Sequence, residues 1–221
     1  MLAVLSALLD LALPTACVGC GRDGPQLCAR CLPGRAQLGS VAGCCVPTFA
    51  AAPYAGPVRE ALLAYKERGR HALAVPLGEL LGRALDAAAE HPRAAVIPVP
   101  SDRAAMRRRG GNHVQRLAHQ ACRRRRRPLI AALDRVRAGP DATVLGASER
   151  WALRAGSMRA SPPRGDGYCV VVDDLVTTGA TLDEAVRALN CGGWTVLGAA
   201  AVAWTPRRSA GDRAPSEASG R

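Results

Sequence analysis

The chain has 221 residues, 48% of them hydrophobic, and carries 30 Lys plus Arg against 18 Asp plus Glu, a net charge of +12. This apolar content excludes an intrinsically disordered chain, and no apolar run reaches the roughly 18 residues of a membrane span. The basic excess is local: residues 93–127 hold eleven arginines against the single acid Asp102, a net of +10, so the other 186 residues contribute only +2. Charge confined this way points to nucleic acid, to a small polyanion such as a phosphate ligand, or to a solvated helix face.

Residues 1–13 (MLAVLSALLDLAL) lack a basic start, carry Asp10 inside the apolar run and lead straight into Pro14, so they read as a short amphipathic helix rather than a signal peptide, which places the chain in the cytoplasm. Next come Cys17, Cys20, Cys28 and Cys31, spaced C-x2-C-x7-C-x2-C. Two such knuckles present four thiolates to one structural Zn²⁺ and leave no open ligand position for catalysis. The knuckle region is expected to span residues 1–45 and the main domain residues 46–205, with a Ser/Pro/Arg-rich tail over 206–221 that reads as disordered.

Within the main domain the pattern predicts helices over 57–69, 72–90 and 112–124, and a short buried strand at Ala94–Pro100 closed by prolines. Residues 139–166 read as a loop with about one helical turn. A buried strand at Tyr168–Val172, a helix at Ala180–Asn190 and a buried strand at Thr195–Ala203 follow. Strands alternating with helices predict an α/β fold, a parallel sheet flanked by helices on both faces.

Residues 170–182 read V-V-V-D-D-L-V-T-T-G-A-T-L. A buried strand delivers Asp173 and Asp174 at its carboxyl end, where open α/β sheets place their ligands. The loop Val176, Thr177, Thr178, Gly179, Ala180 and Thr181 then opens a helix, and backbone N–H groups with three hydroxyls there form a cradle for a phosphate monoester. Two carboxylates beside such a cradle accept hydrogen bonds from sugar hydroxyls, so the constellation suits a ribose 5-phosphate. None of the four histidines falls in a Ser/His/Asp or metal-ligand spacing; His113 stands out by position alone.

This stretch resembles the PRPP-binding signature of type I phosphoribosyltransferases, and with the cysteine knuckle the chain resembles the competence-associated ComF family to about residue 204. Three stretches add to the resemblance: Tyr65-Lys66-Glu67-Arg68-Gly69, Pro98-Val99-Pro100-Ser101, and Arg107-Arg108-Arg109-Gly110-Gly111-Asn112-His113. In the last of these Gly111 replaces a Phe and His113 replaces a Gln. The resemblance implies a type I phosphoribosyltransferase-like sheet in which Val176–Thr181 hold the 5-phosphate and Asp173 and Asp174 meet the ribose hydroxyls. It further implies that Val99, Pro100, Ser101, Arg107, Arg109 and Lys66 face magnesium-bound pyrophosphate. The family's second knuckle is reduced here to Cys44-Cys45, and its flexible loop to Val144–Arg150, with Leu153 at an Asn position.

Three functions are compatible with this reading. One is phosphoribosyl transfer from magnesium-bound PRPP to an unidentified acceptor, linked to DNA uptake or nucleotide salvage. The others are a non-catalytic single-stranded DNA-binding competence factor and a pseudoenzyme that senses PRPP or a nucleotide. Residues 93–127 contain no Phe, Trp or Tyr, which argues against a base-stacking platform, while Arg123–Arg127 remain available for phosphate contacts.

Overall fold

A computed structural model describes residues 16–34, 38–101, 111–136 and 156–206. The expected N-terminal helix, Arg107 and Arg109, most of the 139–166 loop and nearly all of the tail lie outside the described residues. The chain forms β1 (Gly39–Ser40), β2 (Thr48–Pro53), α1 (Gly56–Glu67), a 3₁₀ turn (His71–Leu73), α2 (Ala74–Ala88), β3 (Ala95–Pro98) and α3 (His113–Arg125), then β4 (Leu133–Arg135), β5 (Met158–Ala160), β6 (Tyr168–Val176), α4 (Ala180–Cys191) and β7 (Thr195–Trp204). No helix among the described residues is long and apolar enough to cross a membrane.

The main sheet has the order β1-β2-β7-β6-β3. β2, β7, β6 and β3 run parallel, and β1 closes one edge antiparallel to β2, so the sheet is mixed where a purely parallel one was expected. β4 and β5 form a separate antiparallel pair. Each face of the main sheet has its own core. On one side Val170, Val172, Ala200 and Val202 pack beneath α1, α2 and α3 through Leu62, Leu77, Leu81 and Leu117; on the other Cys169, Val171, Ala199 and Ala201 pack beneath α4 through Leu182, Ala185 and Leu189. A sheet covered on both faces needs apolar side chains at nearly every position, which is why β6 and β7 read as continuous apolar runs.

The helix boundaries follow from local chemistry. Pro57 opens α1, where its missing N–H costs nothing. Asn112 caps α3, its side-chain oxygen accepting from Gln115 N at 3.1 Å. Gly78 and Gly82 bring α2 against α3: a Cβ at Gly78 would overlap the Cβ of Gln120, and one at Gly82 would overlap the guanidinium of Arg125.

Two departures from the sequence reading matter for the site. β6 continues four residues past Val172, so Asp173 and Asp174 lie inside the strand: Asp173 pairs with Ala201 of β7 and Val176 with Trp204. On its other side β6 loses its partner sooner, since the β3 register ends at Pro98–Val172. The carboxyl end of β6 is thus paired on one edge and open on the other, toward the Val99–Ser101 turn.

Candidate functional site

The cysteine knuckle sits against the helical face of the domain. The Sγ atoms of Cys17, Cys20, Cys28 and Cys31 all lie within 4.8 Å of one another, with Cys20 and Cys28 at 3.8 Å. Zn–S bonds of about 2.3 Å in a tetrahedron require S···S edges of about 3.8 Å, so this donor set fits a structural zinc ion. Burial opposes a Cys17 thiolate, but the backbone N–H groups of Cys28, Gly19 and Cys20 draw its pKa down to about 6; burial and the neighbouring sulfurs push Cys31 up to about 12. Four crowded sulfurs shed their protons together only around a cation. Arginines join the knuckle to the body: Arg70 donates to Ala16 O at 2.9 Å and Arg83 to Pro33 O at 2.7 Å.

The second constellation lies at the carboxyl end of β6. After Val176 the chain turns through exposed Thr177 and Thr178 to Gly179, which caps α4 with φ of +86°. A side chain is disfavoured there twice over, by the left-handed backbone and by Cys44 Sγ, which a Cβ would meet at 2.8 Å. At the first turn of α4 the Ala180 N–H donates to Thr178 Oγ1 at 3.4 Å, and a helix start of this kind, beside the Thr177 and Thr181 hydroxyls, is an anion-facing end. Asp183 in that turn is directed elsewhere: its Oδ1 accepts from Cys45 N at 2.9 Å and holds the β1–β2 connection against the helix. A cavity of about 80 Å³ lies beside this turn, lined by Arg135, Ser157, Ala180, Thr181 and Glu184 among others.

Asp174 is 4% exposed, with its Oδ2 2.8 Å from Lys66 Nζ and 2.5 Å from His113 Nε2. Both nitrogens lie on this buried oxygen, although neither approach meets the alignment of a directed hydrogen bond. Burial works against its ionisation, but His113 and Lys66 outweigh it and hold the carboxyl below the ordinary range. Asp173 behaves oppositely. Burial first, then the neighbouring Asp174 charge, raise it to about 7, although its Oδ1 accepts from Asp174 N at 2.8 Å. Two adjacent acids are thereby pushed to opposite sides of their usual value, an arrangement concentrated at functional sites.

His113 is itself fixed from three directions. Its Nδ1 lies 3.3 Å from Ser101 Oγ, its backbone carbonyl accepts from Tyr65 OH at 3.1 Å, and Ser101 also donates to Asn112 Oδ1 at 3.1 Å. The network joins four segments distant in sequence: the end of α1, the turn after β3, the start of α3, and β6. Of the residues expected at the site, the structure gathers Asp173, Asp174, Lys66 and Ser101 here, with Val99 N bonded to Val172 O; of the expected loop, Val176 ends β6, Thr177, Thr178 and Gly179 form the turn, and Ala180 and Thr181 open α4. Lys66 touches a carboxylate. Arg135 was not anticipated: its Nε donates to Pro100 O at 3.0 Å and its charge favours ionised Asp173. It comes from a three-residue strand with no local signature, so only the fold could reveal it.

Part of the basic excess is structural. Arg125 Nε contacts both Asp86 oxygens at 2.8 and 2.9 Å, and Arg127 donates to Ala89 O and His91 O at 2.7 and 3.1 Å, tying the end of α3 to the carbonyls that follow α2. Arg123, Arg124 and Arg126 remain exposed. A larger hollow of about 660 Å³ lies between the knuckle, α2 and α3, lined among others by Leu27, Leu32, Val75, Glu79, Arg123 and Arg124. Its lining also includes Gln26, whose Oε1 is buried without a hydrogen-bond partner, but the perturbed acid pair lies elsewhere, at the end of β6. A scan against protein-family models finds no match for the chain, and a search of curated proteins finds none either.

Proposed function

We propose that this chain is a PRPP-binding, type I phosphoribosyltransferase-like protein of the ComF kind, transferring the phosphoribosyl group of magnesium-bound PRPP to an acceptor. The observation that carries the reading is the run from a buried parallel strand through Asp173 and Asp174 into Thr177-Thr178-Gly179 and the N-terminus of α4. In this reading the N–H groups and hydroxyls of Val176–Thr181 hold the 5-phosphate, the acidic end of β6 accepts from the ribose, and the Val99–Ser101 turn faces pyrophosphate, with Arg107 and Arg109 neutralising it. Transfer at C1 passes through an oxocarbenium-like state, so the protein's work is positioning and electrostatics rather than nucleophilic attack. The gathering of the acid pair, Ser101 and Arg135 around one strand end supports that division of labour. The four-cysteine site completes the resemblance and contributes architecture, not chemistry.

The test is a thermal-shift series with magnesium-bound PRPP. Wild type is expected to melt higher as PRPP rises, by RT ln(1 + [L]/Kd), and the Asp173→Asn/Asp174→Asn double variant to lose that response. No shift of wild type at millimolar PRPP overturns the reading.

A further inference from the structure

The acid pair is part of a strand, and a strand sends successive side chains to opposite faces. Along β6 the alternation can be followed from Cys169 to Val172; it breaks only after Asp174, where Leu175 joins the core beneath α1, α2 and α3 and Val176 the core beneath α4. Cys169 and Val171 belong to the core beneath α4, and Val170 and Val172 to the core beneath α1, α2 and α3. Asp174 continues the second set, since its partners Lys66 and His113 come from α1 and α3. Asp173 continues the first set, since it pairs in register with Ala201, a member of the core beneath α4. The proposed phosphate cradle is the N-terminus of α4, so it shares a side with Asp173 and not with Asp174.

We infer that the two acids divide the work: Asp173 is the carboxylate that meets the ligand's ribose, whereas Asp174 is an internal anchor whose grip on Lys66 and His113 sets the end of β6, making His113 a positioning residue. This rests on the phosphoribosyl reading for the ligand's identity, but the anchoring half stands on contacts alone. Asp174 Oδ2 is closed off from solvent, with Lys66 Nζ and His113 Nε2 lying on it, so that oxygen faces the protein's interior rather than a ligand. Lys66, whose Nζ lies on that oxygen, belongs to the same anchor. His113 transmits the anchor to the turn below, since its other ring nitrogen lies on Ser101, the residue at the proposed pyrophosphate turn.

The experiment pairs calorimetric titration of magnesium-bound PRPP with melting of the ligand-free protein. Asp173→Asn keeps the oxygen that accepts from Asp174 N, so it is expected to melt no lower than wild type while binding PRPP at least tenfold more weakly. Asp174→Asn and Lys66→Met each strand a charged partner and are expected to lower the ligand-free melting temperature by about 5–10 °C, with the double variant recovering part of the loss. His113→Ala is expected to weaken PRPP binding several-fold, and His113→Gln, whose amide can donate to Asp174, to restore it; a residue that only fills space would not show that rescue. The inference is overturned if Asp174→Asn weakens PRPP binding as much as Asp173→Asn with no change in melting, or if Lys66 and Asp174 prove additive. If wild type binds no PRPP, the phosphoribosyl reading and Asp173's role fall together, and the ligand-free cycle alone decides the anchoring role.

Discussion

Asp173 and Asp174 are identical in composition and adjacent in sequence, and what separates them is which way the strand turns each one. For Asp173, with its pKa raised to about 7, the sign of the stability effect is fixed. A raised carboxyl contributes stability that is fully present below its unfolded value of about 3.9 and is lost as pH rises through about 7. Asp173→Asn removes that liability, so its stability relative to wild type is expected to rise between about pH 4 and pH 8, by up to a few kcal/mol. Chemical denaturation of both proteins across that range reads it directly; a pH-independent difference contradicts it. Glu184 has the opposite sign. Although burial raises it, Arg187 at 2.7 and 2.9 Å and the Met158 N–H hold its carboxyl low, so its contribution is present above the ordinary carboxyl range and fades on acidification. The sequence disclosed the acid pair and the TTG loop because both are local strings. It could not disclose that His113 lies on Asp174, or that Arg135 reaches Pro100, because those contacts join segments 61 and 35 residues apart.

At the scale of elements, helices were the most legible feature. The expected helices over 57–69, 72–90 and 112–124 match α1, α2 and α3 to within a few residues, with Pro57 at the start of α1, whereas the cap that Asn112 supplies to α3 emerged only from the structure. β2 was missed for a physical reason: Thr-Phe-Ala-Ala-Ala-Pro has little intrinsic strand preference and is a strand because it lies between β1 and β7. The packing of α2 on α3 predicts a contrast between its two glycines. Gly78→Ala sets a methyl against the fixed Cβ of Gln120 and within 3.1 Å of Leu117 O, so the helices must separate, and the expected cost is about 1–3 kcal/mol despite the gain in helix propensity of about 1 kcal/mol. Gly82→Ala meets only the mobile end of Arg125, which can swing away at the expense of its Asp86 contact, and is expected to cost less. Urea denaturation of the two variants decides it; an equal or reversed order contradicts the packing account.

For the whole molecule, the charge of +12 separates into parts with different work. Arg125 and Arg127 hold α3 to α2, so Arg125→Ala is expected to destabilise the fold by about 1–3 kcal/mol, while neutralising exposed Arg123, Arg124 and Arg126 is expected to cost under about 1 kcal/mol. A melt in which both sets cost alike would contradict that partition. The cysteine knuckle is the other element of global stability. Metal analysis is expected to find about one zinc per chain, and Cys17→Ser/Cys20→Ser to lose both the metal and several degrees of melting temperature; a folded, metal-free wild type would contradict the assignment.

The central claim is that the end of β6 and the start of α4 bind a phosphorylated ribose, and calorimetric titration of wild type with magnesium-bound PRPP tests it most directly. The account predicts saturable binding at one site per chain, with Kd at or below about 1 mM, weakened at least tenfold by Asp173→Asn. A titration without saturable heat across its working temperatures, or equal binding by the Asn variant, would contradict it.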